Sequence, residues 1–192
     1  VAGNQLTITP EVDYYGSGTI TVTVTDMGSR LTDETSFGVT INNVNDAPVL
    51  VEIGDQETDE EVGITRTVEY SDVDIYDPSD THTITVESSS PSDVAVENLS
   101  GNISGSTYDL VPSTDFHGSV IILVTVTDGE YGDSEIFTLN VLPINDAPVM
   151  DAIASQTTDE EASLTLTVSS TDVDHGTHNP GDENVPSYSA VS

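Results

Sequence analysis

The sequence predicts an all-β protein built from tandem Greek-key β-sandwich repeats of about 100 residues each. The first observation is a recurrence: the segment Asn-Asp-Ala-Pro-Val stands at 45–49 and again at 145–149. Two acidic motifs recur at the same spacing, at 59–61 with 159–161 and at 72–74 with 172–174. The second observation is that apolar and polar residues alternate in short runs, while no run has the 3.6-residue period of a helix.

The recurring Asn-Asp-Ala-Pro segments divide the chain. Pro48 and Pro148 are unsuited to the interior of a paired strand, so they mark the connections between repeats. We expect residues 1–46 to be the C-terminal half of one repeat, 47–146 a complete repeat and 147–192 the N-terminal half of a third. The chain does not begin with Met. We therefore expect a segment of a longer protein, whose half-repeats are completed by adjoining sequence or by a second copy.

Alternation within each repeat predicts its strands. In 18–25, Ile20, Val22 and Val24 share one face and threonines occupy the other. A second strand carries Phe37 and Ile41 towards the same core. In the complete repeat, strands are predicted near 49–53, 62–70, 83–87, 94–96, 110–112, 120–127 and 137–141. These short strands with frequent turns are typical of two antiparallel sheets packed face to face.

The charge of the chain excludes several partners. It has 35 acidic residues against two arginines, Arg30 and Arg66, no lysine, and a formal net charge of -33. Nucleic acid and anionic membranes bind basic surfaces, so we expect neither as a partner. There is no cysteine, which excludes disulfides and thiolate metal sites. No apolar run reaches the roughly 18 residues of a membrane span, so we expect no membrane insertion.

The sequence offers little for catalysis, and we expect a protein that is not an enzyme. It has no Gly-x-Ser-x-Gly motif, no His-Glu-x-x-His motif and no phosphate-binding glycine loop. The histidines are scattered, apart from His175 and His178, which lie beside Asp174. A polar loop explains that pair better than a transition-metal site.

Carboxylates concentrate around the connections between repeats. Two carboxylates about 5 Å apart repel by roughly 3 kcal/mol at an effective dielectric of 20, so several such pairs need a counter-ion. Without lysine, the counter-ion that fits is a hard dication with six to eight oxygen ligands, Ca²⁺. The alternative is an acidic, solvated surface suited to a salty medium.

These motifs resemble those of cadherins. The strand-end segment Val-Thr-Val-Thr-Asp-Gly at 124–129, the linker at 145–148 and Asp-Val-Asp at 72–74 occur in the cadherin order. The chain is most similar to the cadherin-like tandem repeats of large bacterial surface adhesins, whose linkers also read Asn-Asp-Ala-Pro. The resemblance implies extracellular, immunoglobulin-like sandwiches made rigid by Ca²⁺ between repeats. Asn43 and Pro143 stand where cadherin linkers carry Asp, so we expect one or two ions per junction rather than three.

The resemblance also implies two sets of calcium ligands. We call residues 43–46 with the adjoining loops the first junction, and residues 143–146 with the adjoining loops the second junction. The implied ligands at the first junction are Asp26, Asn45 (through its carbonyl), Asp46, Glu60, Asp72 and Asp74. Those at the second are Asp128, Asn145, Asp146, Glu160, Asp172 and Asp174. Asp13 and Asp115 begin matching Asp-aromatic-x-Gly turns and are assigned to turn capping, and Asp77 and Asp80 to a solvated loop.

Three functions remain open at this stage. The first is a calcium-rigidified extracellular spacer or adhesion repeat of a bacterial surface protein, whose partners are neighbouring repeats of the same chain or of an adjacent copy. The second is a filament subunit that assembles head to tail, or homophilically, by exchange of half-domains. The third is a carbohydrate- or cell-binding module, for which aromatic residues at 5% and the absence of tryptophan supply few stacking surfaces.

Overall fold

The computed structural model describes residues 4–75, 77, 80–174 and 187–190. All regular secondary structure in these ranges is β, and they contain no helix long and apolar enough to cross a membrane. His175 and His178 lie outside the described residues. The strands are β1 (Gly16–Thr25), β2 (Thr32–Ile41), β3 (Val49–Leu50), β4 (Gln56–Asp59), β5 (Ile64–Val68), β6 (Tyr70–Ser71), β7 (Thr83–Ser88), β8 (Val94–Glu97), β9 (Ser106–Pro112), β10 (Gly118–Thr127), β11 (Gly132–Leu142), β12 (Val149–Met150) and β13 (Ser170–Thr171).

Strands β3 to β11 form a β-sandwich, as the alternating pattern predicts. One sheet has the order β4-β11-β10-β7 and the other β5-β9-β8, with β3 paired to β6 beside them. This division of the strands is that of an immunoglobulin-like sandwich. One detail differs from the purely antiparallel prediction: β4 runs parallel to β11, with Gln56 opposite Leu139 and Asp59 opposite Leu142. Because β4 is parallel to β11, the residues that follow β4 lie at the same end of the sandwich as the residues that follow β11.

The core lies between the two sheets of this sandwich. In strands β9 and β10 buried residues alternate with half-buried or exposed ones, which is the period of two that one inward face requires. Apolar side chains with no exposed surface come from both sheets, namely Val68, Val94, Leu110, Ile122, Val124, Val126 and Leu139. Arg66 on β5 is half-buried and lies opposite Tyr108. The Arg66 Nε and the Tyr108 hydroxyl are buried without a hydrogen-bond partner among the described residues.

The segments on either side repeat parts of this sandwich. Strands β1 and β2 form an antiparallel hairpin in the same register as β10 and β11, with Gly16 opposite Ile41 in one and Gly118 opposite Val141 in the other. Strands β12 and β13 pair as β3 and β6 do. The apolar face of the first hairpin, which corresponds to a core face in β10 and β11, is exposed: Val24 is 65% exposed and Phe37 42%.

Candidate metal centres

The first junction is held by hydrogen bonds from the linker to the loop after β6. The backbone N–H of Asp46 donates to Oδ2 of Asp74 at 2.7 Å, and the N–H of Asp74 donates to Oδ1 of Asp72 at 2.8 Å. The side-chain amide of Asn45 donates to Oδ2 of Asp128 at 2.9 Å. The Asp-x-Asp motif thus turns back on itself and presents carboxylates to the linker.

The second junction repeats this arrangement one hundred residues later. The N–H of Asp146 donates to Oδ2 of Asp174, and the N–H of Asp174 donates to Oδ1 of Asp172 at 3.1 Å. The linker also donates from the N–H of Ile144 to Oε1 of Glu60. Two sequence-related junctions therefore adopt the same local geometry.

Glu60 lies at the second junction, and its predicted place at the first is wrong. Because β4 is parallel to β11, the residue after β4 lies where β11 leaves the sandwich, and the N–H of Glu60 donates to the carbonyl of Leu142 at 2.8 Å. Ligand oxygens of Glu60, Asp146 and Asp174 lie within 4.8 Å of one another. Glu160, the equivalent residue of the next repeat, is exposed.

Asp128 and Asp26 do not lie at the junctions that the sequence predicts for them, which were the second and the first respectively. Strand β10 runs antiparallel to β11, so Asp128 lies at the end of the sandwich that faces Asn45, at the first junction. Asp26 follows β1 in the same way, at the far turn of the first hairpin. That turn is nine residues from the junction end of the hairpin, roughly 30 Å at the rise of a strand. The Asp26 carboxylate accepts hydrogen bonds from the N–H of Gly28 and the hydroxyl of Ser29.

Asp13 and Asp115 contribute charge to the junctions, which the assignment to turn capping missed. Burial, followed by the charges of Asp13 and Asp74, raises the pKa of Asp46. Burial, followed by Asp174 and then Asp115, raises the pKa of Asp146. The position of these two residues in the sequence could have indicated this. Each turn directly precedes a strand, β1 or β10, and that strand begins at the end of the repeat from which the linker leaves.

The loop between β6 and β7 supplies a second group at the first junction. His82 Nε2 lies 2.9 Å from Oδ2 of Asp72 and 3.5 Å from Oδ2 of Asp80. Asp80 and Asp128 line an open polar cleft of about 500 Å³, together with Asn43, Asn45, Asp77, Gly129 and Glu130. Burial raises the pKa of Asp80, and His82 opposes this shift. Asp80 is therefore part of the junction rather than of a solvated loop.

The second junction fits a hard dication by the chemistry of its donors. Glu60 and Asp174 are buried, with 2% and 3% of their surface exposed, and their oxygens lie within 4.8 Å. At that distance two carboxylates repel by roughly 3 kcal/mol at an effective dielectric of 20. Neither arginine compensates them, since Arg30 lies in the far hairpin turn and Arg66 on β5. An all-oxygen set of this kind is what Ca²⁺ binds, and Glu60, Asp146 and Asp174 would hold it.

Comparison with known proteins adds only distant likenesses. No family model matches the sequence, and no curated protein matches it. Similar solved structures include a protocadherin gammaB7 EC3-6 cis-dimer (20% identity, TM-score 0.48, 82% of this chain and 42% of that one). They also include titin domain M7 (11% identity, TM-score 0.38, 52% of this chain and 98% of that one). A third is an endo-fucoidan hydrolase of glycoside hydrolase family 107 (19% identity, TM-score 0.38, 67% of this chain and 19% of that one). The chain spans less than half the length of the protocadherin and hydrolase chains, and at these values none of the three indicates a function.

Proposed function

We propose that this chain is a calcium-rigidified spacer of an extracellular surface adhesin, which holds a distal binding module away from the cell. The observation that carries the proposal is the group of carboxylates from Glu60, Asp146 and Asp174. They belong to the end of one repeat, the linker and the beginning of the next. A dication bound by all three would join these three segments through a shared ion, in addition to the hydrogen bonds from Ile144 to Glu60 and from Asp146 to Asp174.

The repetition of the geometry supports a structural role. Both linkers donate a backbone N–H to the second Asp of an Asp-x-Asp motif. A device that recurs at successive junctions fixes the angle between successive repeats, which is what an extended spacer requires. An extracellular location is supported by the type of site, since calcium sites in extracellular modules are matched to the high free calcium outside cells.

Calcium titration of the full chain tests the proposal. We expect isothermal titration calorimetry to show calcium binding, and small-angle scattering to show a narrower distribution of shapes when calcium is added. Glu60→Gln removes a junction carboxylate, and Glu160→Gln is the matched control at the same position of the next repeat. Weaker binding in Glu60→Gln alone supports the proposal, whereas no calcium binding by the wild-type chain would refute it.

A second candidate function is head-to-tail assembly by exchange of half-domains. It is favoured by the exposed apolar face of the β1–β2 hairpin, where Val24 and Phe37 lie at positions that are buried in the complete sandwich. A second copy that packed its own strands on this face would cover it. Sedimentation at increasing protein concentration measures it: a rising mass supports assembly, and a constant monomer mass contradicts it.

A further inference from the structure

His82 makes the first junction chemically different from the second. Its side chain is 6% exposed, and those of Asp72 and Asp80 are 0% and 4% exposed. A ligand atom from each of the three residues lies within 4.8 Å of the other two. The corresponding group at the second junction, formed by Glu60, Asp146 and Asp174, contains oxygen ligands only.

Asp80 is the residue that points to a bound ion. Both of its carboxylate oxygens are buried and have no hydrogen-bond partner among the described residues. A buried carboxylate in this state has lost its hydration without a compensating hydrogen bond, which is costly. His82 contacts Asp72 at 2.9 Å and Asp80 at 3.5 Å, but neither contact gives the Asp80 oxygens a hydrogen bond. A cation bound by all three side chains satisfies Asp80 as well.

We propose that Asp72, Asp80 and His82 bind a transition-metal dication of the zinc type at the first junction. Imidazole nitrogen suits Zn²⁺, whereas Ca²⁺ takes oxygen ligands. Ligand atoms at 2.0–2.2 Å from a tetrahedral ion are about 3.4 Å apart. The separation of His82 Nε2 and Asp80 Oδ2 is 3.5 Å, and that of His82 and Asp72 has to open by about half an ångström from 2.9 Å. Asp80 lines the open polar cleft, which gives an ion a path from solvent.

This site does not depend on calcium at the second junction. The two groups share no residue, and they lie at opposite ends of the complete sandwich. Comparing the zinc titrations of wild type and His82→Asn therefore reports on the first junction separately. Failure of zinc binding leaves the calcium proposal standing, and failure of calcium binding leaves the zinc proposal standing.

The test is calorimetric titration of the chain with Zn²⁺, without calcium and again with saturating calcium, and the calcium-free titration decides the outcome. We expect one Zn²⁺ site in the wild-type chain and at least a tenfold loss of affinity in His82→Asn, which keeps an amide oxygen near the site. The exposed His117→Asn is the matched control and keeps the wild-type affinity. A variant with both His175→Asn and His178→Asn also keeps this site. Equal zinc affinity in wild type and His82→Asn, or no zinc binding by the wild type, would overturn the proposal.

Two further measurements separate lost ligation from lost folding. Asp80→Asn removes the charge of the Asp80 ligand and keeps His82, and we expect it to lower zinc affinity as well. In the Co²⁺-loaded wild type, the imidazole resonances of one histidine shift strongly through the paramagnetic ion, and His82→Asn lacks that shift. An unaltered Co²⁺ spectrum in a folded His82→Asn variant would contradict ligation by His82.

Discussion

Glu60→Gln separates two opposing effects of the Glu60 carboxylate at the second junction. Without metal, the carboxylate repels that of Asp174, since the oxygens of the two lie within 4.8 Å and both side chains are buried. With calcium bound, the same carboxylate becomes a ligand. Replacing it with an amide of the same size removes the repulsion and the ligand together, so the variant is expected to be more stable than wild type in one condition and less stable in the other.

The magnitude follows from the geometry. Removing one charge of the Glu60–Asp174 pair relieves roughly 3 kcal/mol at an effective dielectric of 20. The hydrogen bond from the N–H of Ile144 weakens when its acceptor becomes neutral, which costs about 1 kcal/mol. The metal-free variant should therefore gain about 2 kcal/mol, or about 10 °C in melting temperature for a domain of this size. At 1,000 times the dissociation constant, calcium stabilises the wild type by about 4.1 kcal/mol, and losing most of this outweighs the variant's gain of about 2 kcal/mol.

The assay is thermal unfolding of both proteins with chelator and with excess calcium. We expect Glu60→Gln to melt above wild type in chelator and below it in calcium, while Glu160→Gln follows wild type in both. The control carries the same substitution at the equivalent, exposed position of the next repeat. Identical behaviour of the two variants in both conditions would refute the assignment of Glu60 to the second junction.

Three further predictions concern the charges and the core. Burial, with neighbouring carboxylates second, raises the pKa of Asp46 and Asp146 above 3.8. The folded state therefore binds these protons first, so these two carboxyls add stability to the metal-free chain as the pH falls through their raised pKa values towards 3.8. Urea unfolding of wild type and of the double variant Asp46→Asn, Asp146→Asn across that window measures this, and the same pH dependence in both proteins would contradict it. Leu139→Ala should cost about 2–5 kcal/mol in urea unfolding, because Leu139 has no exposed surface, whereas Ile136→Ala, 65% exposed on the same strand, should cost less than about 0.5 kcal/mol. Tyr108→Phe should raise stability by about 1 kcal/mol in the same assay, because the hydroxyl is buried without a partner among the described residues; a loss of stability would reveal a partner for it.

The sequence was sufficient for the fold because alternation survives in the strands that form the core. In β10, each of Val120, Ile122, Val124 and Val126 is buried, and every residue between them is less so. The same alternation identified the first hairpin, whose register matches that of β10 and β11. The parallel pairing of β4 with β11 has no comparable signal in the sequence. The alternation of a four-residue edge strand is the same whether the strand runs parallel or antiparallel to its neighbour.

Two features of the fold caused the errors in the candidate sites: the parallel pairing of β4 with β11 and the direction of β10. The sequence repeat shows that Glu60 is equivalent to Glu160 and that Asp26 is equivalent to Asp128. It does not show at which end of a repeat these residues lie. The Asp-x-Asp motifs were placed correctly because they adjoin the linker in space as well as in pattern, with Asp46 bonded to Asp74 and Asp146 to Asp174. That any of these residues binds calcium stays a prediction.

His82 and Asp80 had no signal in the sequence beyond their residue types. They lie eight and six residues from Asp74, in a loop whose path sets the distance between them. Only the fold of that loop brings His82 against Asp72 and leaves the Asp80 carboxylate buried. A mixed nitrogen and oxygen site of this kind depends on side-chain placement rather than on spacing along the chain.

A crystal structure of the chain grown with excess calcium tests the central claim most directly. We predict an ion at the second junction, 2.3–2.6 Å from oxygens of Glu60, Asp146 and Asp174. Ordered water at that position, with the three carboxylates turned away from one another and calcium present in the crystal, would contradict the account.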